Sequence, residues 1–300
     1  MSKTLGEYSV IIDILNVAAS ASDVLRWENI GVGPIAFEIG SFPIRWYSLS
    51  YLVMIMLGYW YLGKLIKVPG SPMSQEHADD LILYITLGVI FGGRLGYILF
   101  YKQDILLTPL EIFKVWNGGM SLHGGTLGVL FALYLFKRKH GLNYLRICDY
   151  IACCVPFGTF LVRMANFVNG ELFGRETDVS WGMIFPDGGE IVRHPSQLYE
   201  AGLEGLLMAA ILWPLFWRTG VRYFPGFFFG LAAMIYGFSR FIVEFFREPD
   251  SHLTWVVEQT GLSMGQWLTI PMIIVGIYLV VTARGRRERV EPIAGEDSIA

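Results

Sequence analysis

The residues best suited to chemistry in this sequence lie where a lipid-soluble chain should carry none. Residues 158–174, GTFLVRMANFVNGELFG, begin as the end of an apolar run, finish polar, and contain Arg163, Asn166, Asn169 and Glu171. An ionised side chain at the centre of a membrane span costs about 2.5–3.5 kcal/mol on insertion scales, so such a residue has a partner or a task. A second set, Tyr236, Arg240, Glu244 and Arg247, falls at i, i+4, i+8 and i+11, one face of a helix otherwise coated with Phe238, Phe241, Phe245 and Phe246. Two guanidiniums in a low-dielectric setting suit a phosphate, because each fork donates two parallel charge-assisted hydrogen bonds to its oxygens. The plain alternatives are that each arginine is neutralised by its own helix or snorkels to the interface, and that Glu244 simply pairs with Arg240.

His123 lies in NGGMSLHGGTLG, with glycines on both sides that let backbone approach a ligand or a neighbouring helix closely. An unperturbed imidazole titrates at about 6.5, which makes His123 the candidate base near neutrality; the competing reading is a hydrogen-bonded histidine at a helix start. His194, in RHPSQLYE, is a weaker candidate, since Pro195 and Ser196 look like a helix start with Glu200 in its first turn. Cys148, Cys153 and Cys154 share one apolar segment and are read as packing residues, with neither disulfide nor metal-ligand spacing. No P-loop, zinc-protease or serine-nucleophile motif is present, and neither a metal nor a cofactor is expected.

The elements that must position these residues follow from composition. The chain is 54% hydrophobic, 15% aromatic and only 16% charged, with a mean hydropathy of +0.48. It reads as an all-α polytopic membrane protein without a nucleic-acid footprint. Apolar runs long enough to cross the hydrocarbon core recur near 46–64, 80–101, 119–136, 147–168, 197–217, 226–246 and 265–283, predicting about seven transmembrane helices. Residues 1–45 then form an interfacial N-terminal arm, residues 46–283 the catalytic membrane domain, and residues 284–300 a basic-then-acidic tail. Glu7 and Asp13 interrupt the apolar core that a signal peptide would need.

Lys64 and Lys67, Lys137 to Lys139 with Arg146, Arg218 and Arg222, and Arg284 to Arg289 all fall on one side of this topology. The positive-inside rule makes that side the cytoplasm, with the N-terminus outside and the C-terminus cytoplasmic. Tyr47, His123, Arg163, Asn166, His194, Glu200, Arg240 and Glu244 then all lie in the outer half of the membrane. One site facing the outer leaflet explains this better than several unrelated polar groups. Gly88, Gly92 and Gly96 read as a close-packing helix face. The doublets Gly118-Gly119, Gly124-Gly125 and Gly188-Gly189 read as turns or re-entrant backbone.

The segments RWYSLSYLV, GGRLGYILFY, FKVWNGGMSLHGG, RMANFVNGELFG, RHPSQLYE and YGFSRFIVEFFREPD occur in order between Arg45 and the region of Arg247. Together they resemble the bacterial prolipoprotein diacylglyceryl transferases. One departure is Val162, where the family usually has glycine before the signature arginine. The resemblance implies transfer of the diacylglyceryl group of phosphatidylglycerol to the lipobox cysteine of a prolipoprotein signal peptide. A thioether forms and glycerol phosphate is released, at the outer face of the bacterial cytoplasmic (inner) membrane. It implies that Tyr47, His123, Arg163, Asn166, Glu171, Gly174, Arg240 and Glu244 carry the function.

On that basis His123 is expected to take the thiol proton, Arg163 and Arg240 to stabilise the departing phosphate, and Glu171 and Glu244 to orient the arginines. Asn166 and Tyr47 are expected to bind the headgroup or the arginines. The rivals are a transporter whose intramembrane Arg, Glu and His line a pathway, which Arg94 and Glu204 would extend inward, and a non-catalytic lipid-binding scaffold. A membrane protease is disfavoured, for lack of a Ser-His, paired-aspartate or zinc arrangement.

Overall fold

The computed structural model describes residues 24–104, 119–248 and 259–287. Short strands and turns open it: β1 (Leu25–Arg26), a 3-10 turn (Trp27–Ile30) and the hairpin β2 (Ile35–Ile39) with β3 (Phe42–Arg45). The helices α1 (Trp46–Leu65), α2 (Gln75–Tyr101), α3 (Leu122–His140), α4 (Tyr144–Ala152) and α5 (Val155–Val168) follow. After the short strands β4 (Met183–Ile184) and β5 (Val192–Arg193) come α6 (Ser196–Arg218), α7 (Phe227–Val243) and α8 (Met264–Thr282). The expectation of an all-α chain is therefore corrected to a mainly helical one with two small sheets. Within the interfacial arm expected over residues 1–45, the chain from Leu25 onward forms short strands, a 3-10 turn and a hairpin, and residues 1–23 lie outside the described set.

A helix occupies each apolar stretch read from the sequence, with displaced ends. Among the described residues, Gln75–Leu99, Ser196–Arg218 and Met264–Arg286 are long and apolar enough to cross a membrane, and the bent pair α4–α5 makes a fourth if taken as one span. The stretch at 147–168 is not one continuous helix: it breaks at Cys153–Cys154, with Pro156 in the first turn of the helix that follows. Proline disfavours helical backbone in the residue before it but suits a first turn, so the break falls where the sequence permits a restart.

The chain divides into two compact units. The second comprises residues 55–157, 208–234 and 272–300. Within it the expected glycine face on α2 packs against glycines of α3: a Cβ at Gly128 would lie 2.1 Å from the carbonyl oxygen of Gly88, and one at Gly92 would lie 2.4 Å from that of Gly124. Gly124 and Gly125 are thus helical packing residues, not the turn or re-entrant backbone expected. Ser121 caps α3, accepting from Gly124 N, and Asn143 caps α4, accepting from Arg146 N. The start of α7 is held from another helix: Asp149, fully buried, accepts from Gly226 N and Phe229 N, each at 2.8 Å. A carboxylate at a helix N-terminus satisfies donors that have no intrahelical partner and complements the dipole. Asp149→Ala leaves those donors buried and unpaired, so a loss of about 2–3 kcal/mol is expected, with partial recovery in Asp149→Asn; thermal unfolding in detergent measures both.

The first unit comprises residues 1–54, 158–207 and 235–271. Its three-stranded sheet has the order β1-β4-β5, with β1 parallel to β4 and β4 antiparallel to β5. Trp27, Met183 and Phe185 form a small core against which Phe167 and Phe173 pack. The Trp27 indole donates to Phe167 O at 2.7 Å, tying the sheet to the end of α5.

Candidate active site

All residues of the site described next belong to the first unit. Toward its end α5 carries Arg163 and, one turn on, Asn166; Gly170 at φ +68 then turns the chain back. Glu171 thereby returns over the helix end and accepts from the Asn166 amide at 2.8 Å and the Asn169 amide at 3.2 Å. Leu172 adopts φ +57, a left-handed conformation that costs a branched residue about 1–2 kcal/mol. Its carbonyl accepts from the Ser196 hydroxyl, and that of Glu171 from the Gln197 amide, so the start of α6 holds the strained turn.

In α6 the helix is locally wide: Ser196–Glu200 is α-helical, and Ala201–Leu207 forms a π-helix. Such segments interrupt the i to i−4 ladder and recur at functional sites. The Thr159 hydroxyl, on α5, donates to the Glu204 carbonyl at 2.7 Å, giving that carbonyl a partner. Close approach here needs Gly205, where a Cβ would lie 2.7 Å from Cβ of Phe160. The result is that Glu200 and Glu204, both with no exposed side-chain surface, face Arg163.

Arg163 Nε lies 3.2 Å from Glu200 Oε2, and its Nη2 lies 3.4 Å from Glu204 Oε2. From α7, Arg240 Nη1 pairs with Glu200 Oε1, and its Nη2 lies 2.8 Å from Glu244 Oε2. Arg247 adds a looser contact to Glu200 at 3.9 Å. Both principal guanidiniums are about one-eighth exposed, at 12% each. Taking so many charges from water is expensive, and only mutual pairing of this kind compensates for it. Glu200 is the hub, since arginines from two helices and from the segment after α7 meet on it.

Of the other expected residues, Glu244 pairs with Arg240, whereas Glu171 accepts from asparagines and the carboxylates beside Arg163 are Glu200 and Glu204. Tyr47, at the start of α1, is within electrostatic reach of Glu171 and Arg163, and its hydroxyl lies 3.3 Å from that of Tyr51. Tyr236, half-buried, lies within electrostatic reach of Arg163 and Glu204. Gly174 contributes no side chain: its N–H donates to His194 O, and a Cβ there would lie 2.4 Å from Phe246 O. His123, in the second unit, stands exposed in the first turn of α3. The sequence reading missed Glu200 and Glu204 as arginine partners. The signal was present, because two acids one turn apart in an apolar run raise the same cost argument as Arg163.

Gly265, in the first turn of α8, leaves room for the Glu244 carboxylate, which an added Cβ would meet at 2.8 Å. Because a carboxylate is the mobile end of its side chain, Gly265→Ala is expected to fold normally yet turn over about tenfold more slowly, the equivalent of roughly 1.4 kcal/mol of lost transition-state stabilisation. Steady-state rates beside a melting curve separate the two effects.

An apolar pocket of about 420 Å³ in the same unit is lined by Trp181, His194, Tyr199, Leu203, Ile242 and Phe246, among others. His194 Nδ1 lies 3.1 Å from the Tyr199 hydroxyl. Burial lowers its pKa from the ordinary histidine value, against a weaker opposing pull from Asp178.

Compared with known proteins, residues 34–282 match the family model described as prolipoprotein diacylglyceryl transferase. A phosphatidylglycerol--prolipoprotein diacylglyceryl transferase of Erythrobacter litoralis is 57% identical over 92% of this chain and 98% of its own. A protein of the same name from Zymomonas mobilis is 50% identical over 88% of this chain and 95% of its own. One from Rhodospirillum rubrum is 48% identical over 88% and 95%. The chain belongs to the prolipoprotein diacylglyceryl transferase family. It is an enzyme, a transferase, and the transporter and scaffold readings give way. Val162, at the position where the resemblance led us to expect glycine, lies within α5, whose helix continues through it to Val168.

Proposed function

We propose that the buried arginine–carboxylate cluster is where this transferase holds the phosphate of phosphatidylglycerol while the diacylglyceryl group passes to a prolipoprotein cysteine. The observation that carries the reading is the convergence of Arg163 and Arg240, from different helices, on the single buried acid Glu200. Two forks aimed by one carboxylate present donors to a common point, the geometry that a tetrahedral oxyanion requires.

The thiol of the lipobox cysteine loses its proton to His123, directly or through water, since a free thiol with a pKa of about 8.5 is a poor nucleophile near neutrality. The thiolate attacks the glycerol carbon that bears the phosphate oxygen; the S–C bond forms, that C–O bond breaks, and glycerol phosphate leaves. Charge grows on the departing phosphate, where Arg163 and Arg240 act. Glu200 and Glu244 hold the forks, and Glu171 braces Asn166 near the headgroup with Tyr47. Gly174 fixes the backbone that brings Arg247 in.

We further propose a setting for this reaction: seven crossings, with the N-terminus outside, the basic clusters and C-terminus in the cytoplasm, and the site open to the outer leaflet of the inner membrane. The support is the one-sided distribution of Lys and Arg and the common depth of the polar residues.

The test uses the full chain in liposomes containing phosphatidylglycerol, given a lipobox peptide with cysteine or with serine. A diacylglyceryl-sized mass gain on the cysteine peptide alone is expected, and His123→Ala should lower its rate by about 10²–10⁴-fold, the usual contribution of a general base. A His123→Ala enzyme with full turnover across neutral pH removes the base and leaves the phosphate clamp. No mass gain from folded wild-type protein removes both.

A further inference from the structure

Glu204 is the buried acid that this mechanism leaves without a role. Its side chain has no exposed surface, and its Oε2 lies 3.4 Å from both Nε and Nη2 of Arg163. Oε1 has no hydrogen-bond partner among the described residues; the same holds for Glu200 Oε2 and Glu244 Oε2, but those oxygens lie 3.2 Å from Arg163 Nε and 2.8 Å from Arg240 Nη2, whereas Glu204 Oε1 has no such ion pair among the described residues. Its neighbours in the cluster are better neutralised: Glu200 touches three guanidiniums, and Glu244 pairs with Arg240 at 2.8 Å. The charged and titratable groups that face Glu204 are Arg163 from α5, Tyr236 and Arg240 from α7, and Glu200 one turn earlier on α6.

Two physical arguments bear on this acid. A carboxylate taken out of water with an orphan oxygen is costly, and such a group is more cheaply held neutral. The second is charge balance. With Arg163, Arg240, Arg247, Glu200, Glu204 and Glu244 all ionised, the cluster carries as many negative charges as positive ones, and nothing in it attracts an anion. A phosphodiester entering that arrangement would leave an uncompensated negative charge in a buried site.

We propose that Glu204 holds a proton when the site holds its anionic lipid, so that three guanidiniums face two carboxylates and one phosphodiester. The lipid-bound site is then electrically neutral, and lipid affinity is linked to pH through this one side chain. Glu200 and Glu244, each engaged directly by arginine, stay ionised and keep the forks aimed. The proposal rests on the reading of the cluster as the phosphate site.

The experiment titrates short-chain phosphatidylglycerol into the full-length protein in detergent micelles at a series of pH values, with short-chain diacylglycerol, which has no phosphate, as the comparison. For wild type, affinity should fall with rising pH and approach about a tenfold loss per pH unit, the limit for one linked proton. Glu204→Gln, which carries an uncharged amide at every pH, should bind with an affinity that no longer follows pH. Should that variant fail to fold, infrared difference spectra of the wild type carry the same test. A protonated-carboxyl C=O band should be present in the lipid complex and absent from the lipid-free protein over the pH range in which affinity drops.

Selective, Arg240-dependent binding of phosphatidylglycerol that ignores pH overturns the proton on Glu204 and leaves the phosphate site standing. So does a Glu204→Gln protein that keeps the wild-type slope, or a complex without the infrared band. Binding no better than that of diacylglycerol, or unchanged in Arg240→Gln, overturns the phosphate site and this proposal together.

Discussion

Arg163→Ala lowers turnover by about 10²–10³-fold, the loss that follows removal of one donor aimed at a developing oxyanion. The same substitution strands Glu204, which has no exposed side-chain surface and among the described residues is ion-paired with Arg163, while Glu200 keeps Arg240 and Arg247. Breaking a buried pair from one side costs about 3–5 kcal/mol, so the variant should also melt earlier. The two effects can be separated. Arg163→Ala combined with Glu204→Gln removes one stranded charge and should regain part of the stability while turnover stays low. If the double variant regains rate along with stability, Arg163 is a structural ion-pair partner and not a phosphate ligand. Rates under lipid-saturating conditions, taken beside melting curves in one detergent, decide between these outcomes.

Gly174→Ala should abolish turnover through the backbone. A Cβ at this position would stand 2.4 Å from Phe246 O, 2.6 Å from His194 Cβ and 2.8 Å from His194 O. Two of these are main-chain atoms, so relief requires that the strand-like contact between Gly174 and Arg247 part. That contact fixes the chain just beyond Glu244 and so the entry of Arg247 into the cluster. Overpacking of this kind typically costs about 1–3 kcal/mol, occasionally more. The expected signature is a folded protein with turnover reduced by at least about 10²-fold, the scale on which misplacement of about 1 Å acts at a catalytic centre. Gly202→Ala is the matched comparison, because a Cβ there meets nothing within 4 Å. A Gly174→Ala enzyme with normal rates would show that this close approach does not transmit to the site.

Family, membrane character and most of the arginine cluster were legible in the sequence. A charge inside an apolar run is costly wherever the run finally packs, so Arg163 and Arg240 announce themselves before any fold is known. Helical spacing alone put Tyr236, Arg240, Glu244 and Arg247 on one face, and four-residue glycine spacing alone marked a close-packing face on α2, without naming its partner. These are local properties, set by the helical repeat and by the solvent.

What the sequence could not decide was pairing between elements distant along the chain. It offered Glu171, with Glu244, to orient the arginines, but the turn at Gly170 and Leu172 directs the Glu171 carboxylate onto Asn166 and Asn169. The acids that hold Arg163 come from α6, brought there by a π-helical segment and by the space that Gly205 leaves beside Phe160. Hydropathy likewise showed an unbroken run at 147–168, though Pro156 divides it, and it gave no sign of the small sheet anchored by Trp27. Burial cost tells which residues must find partners. Which partners they find depends on how helices approach one another, and that is fixed only when the side chains between them pack.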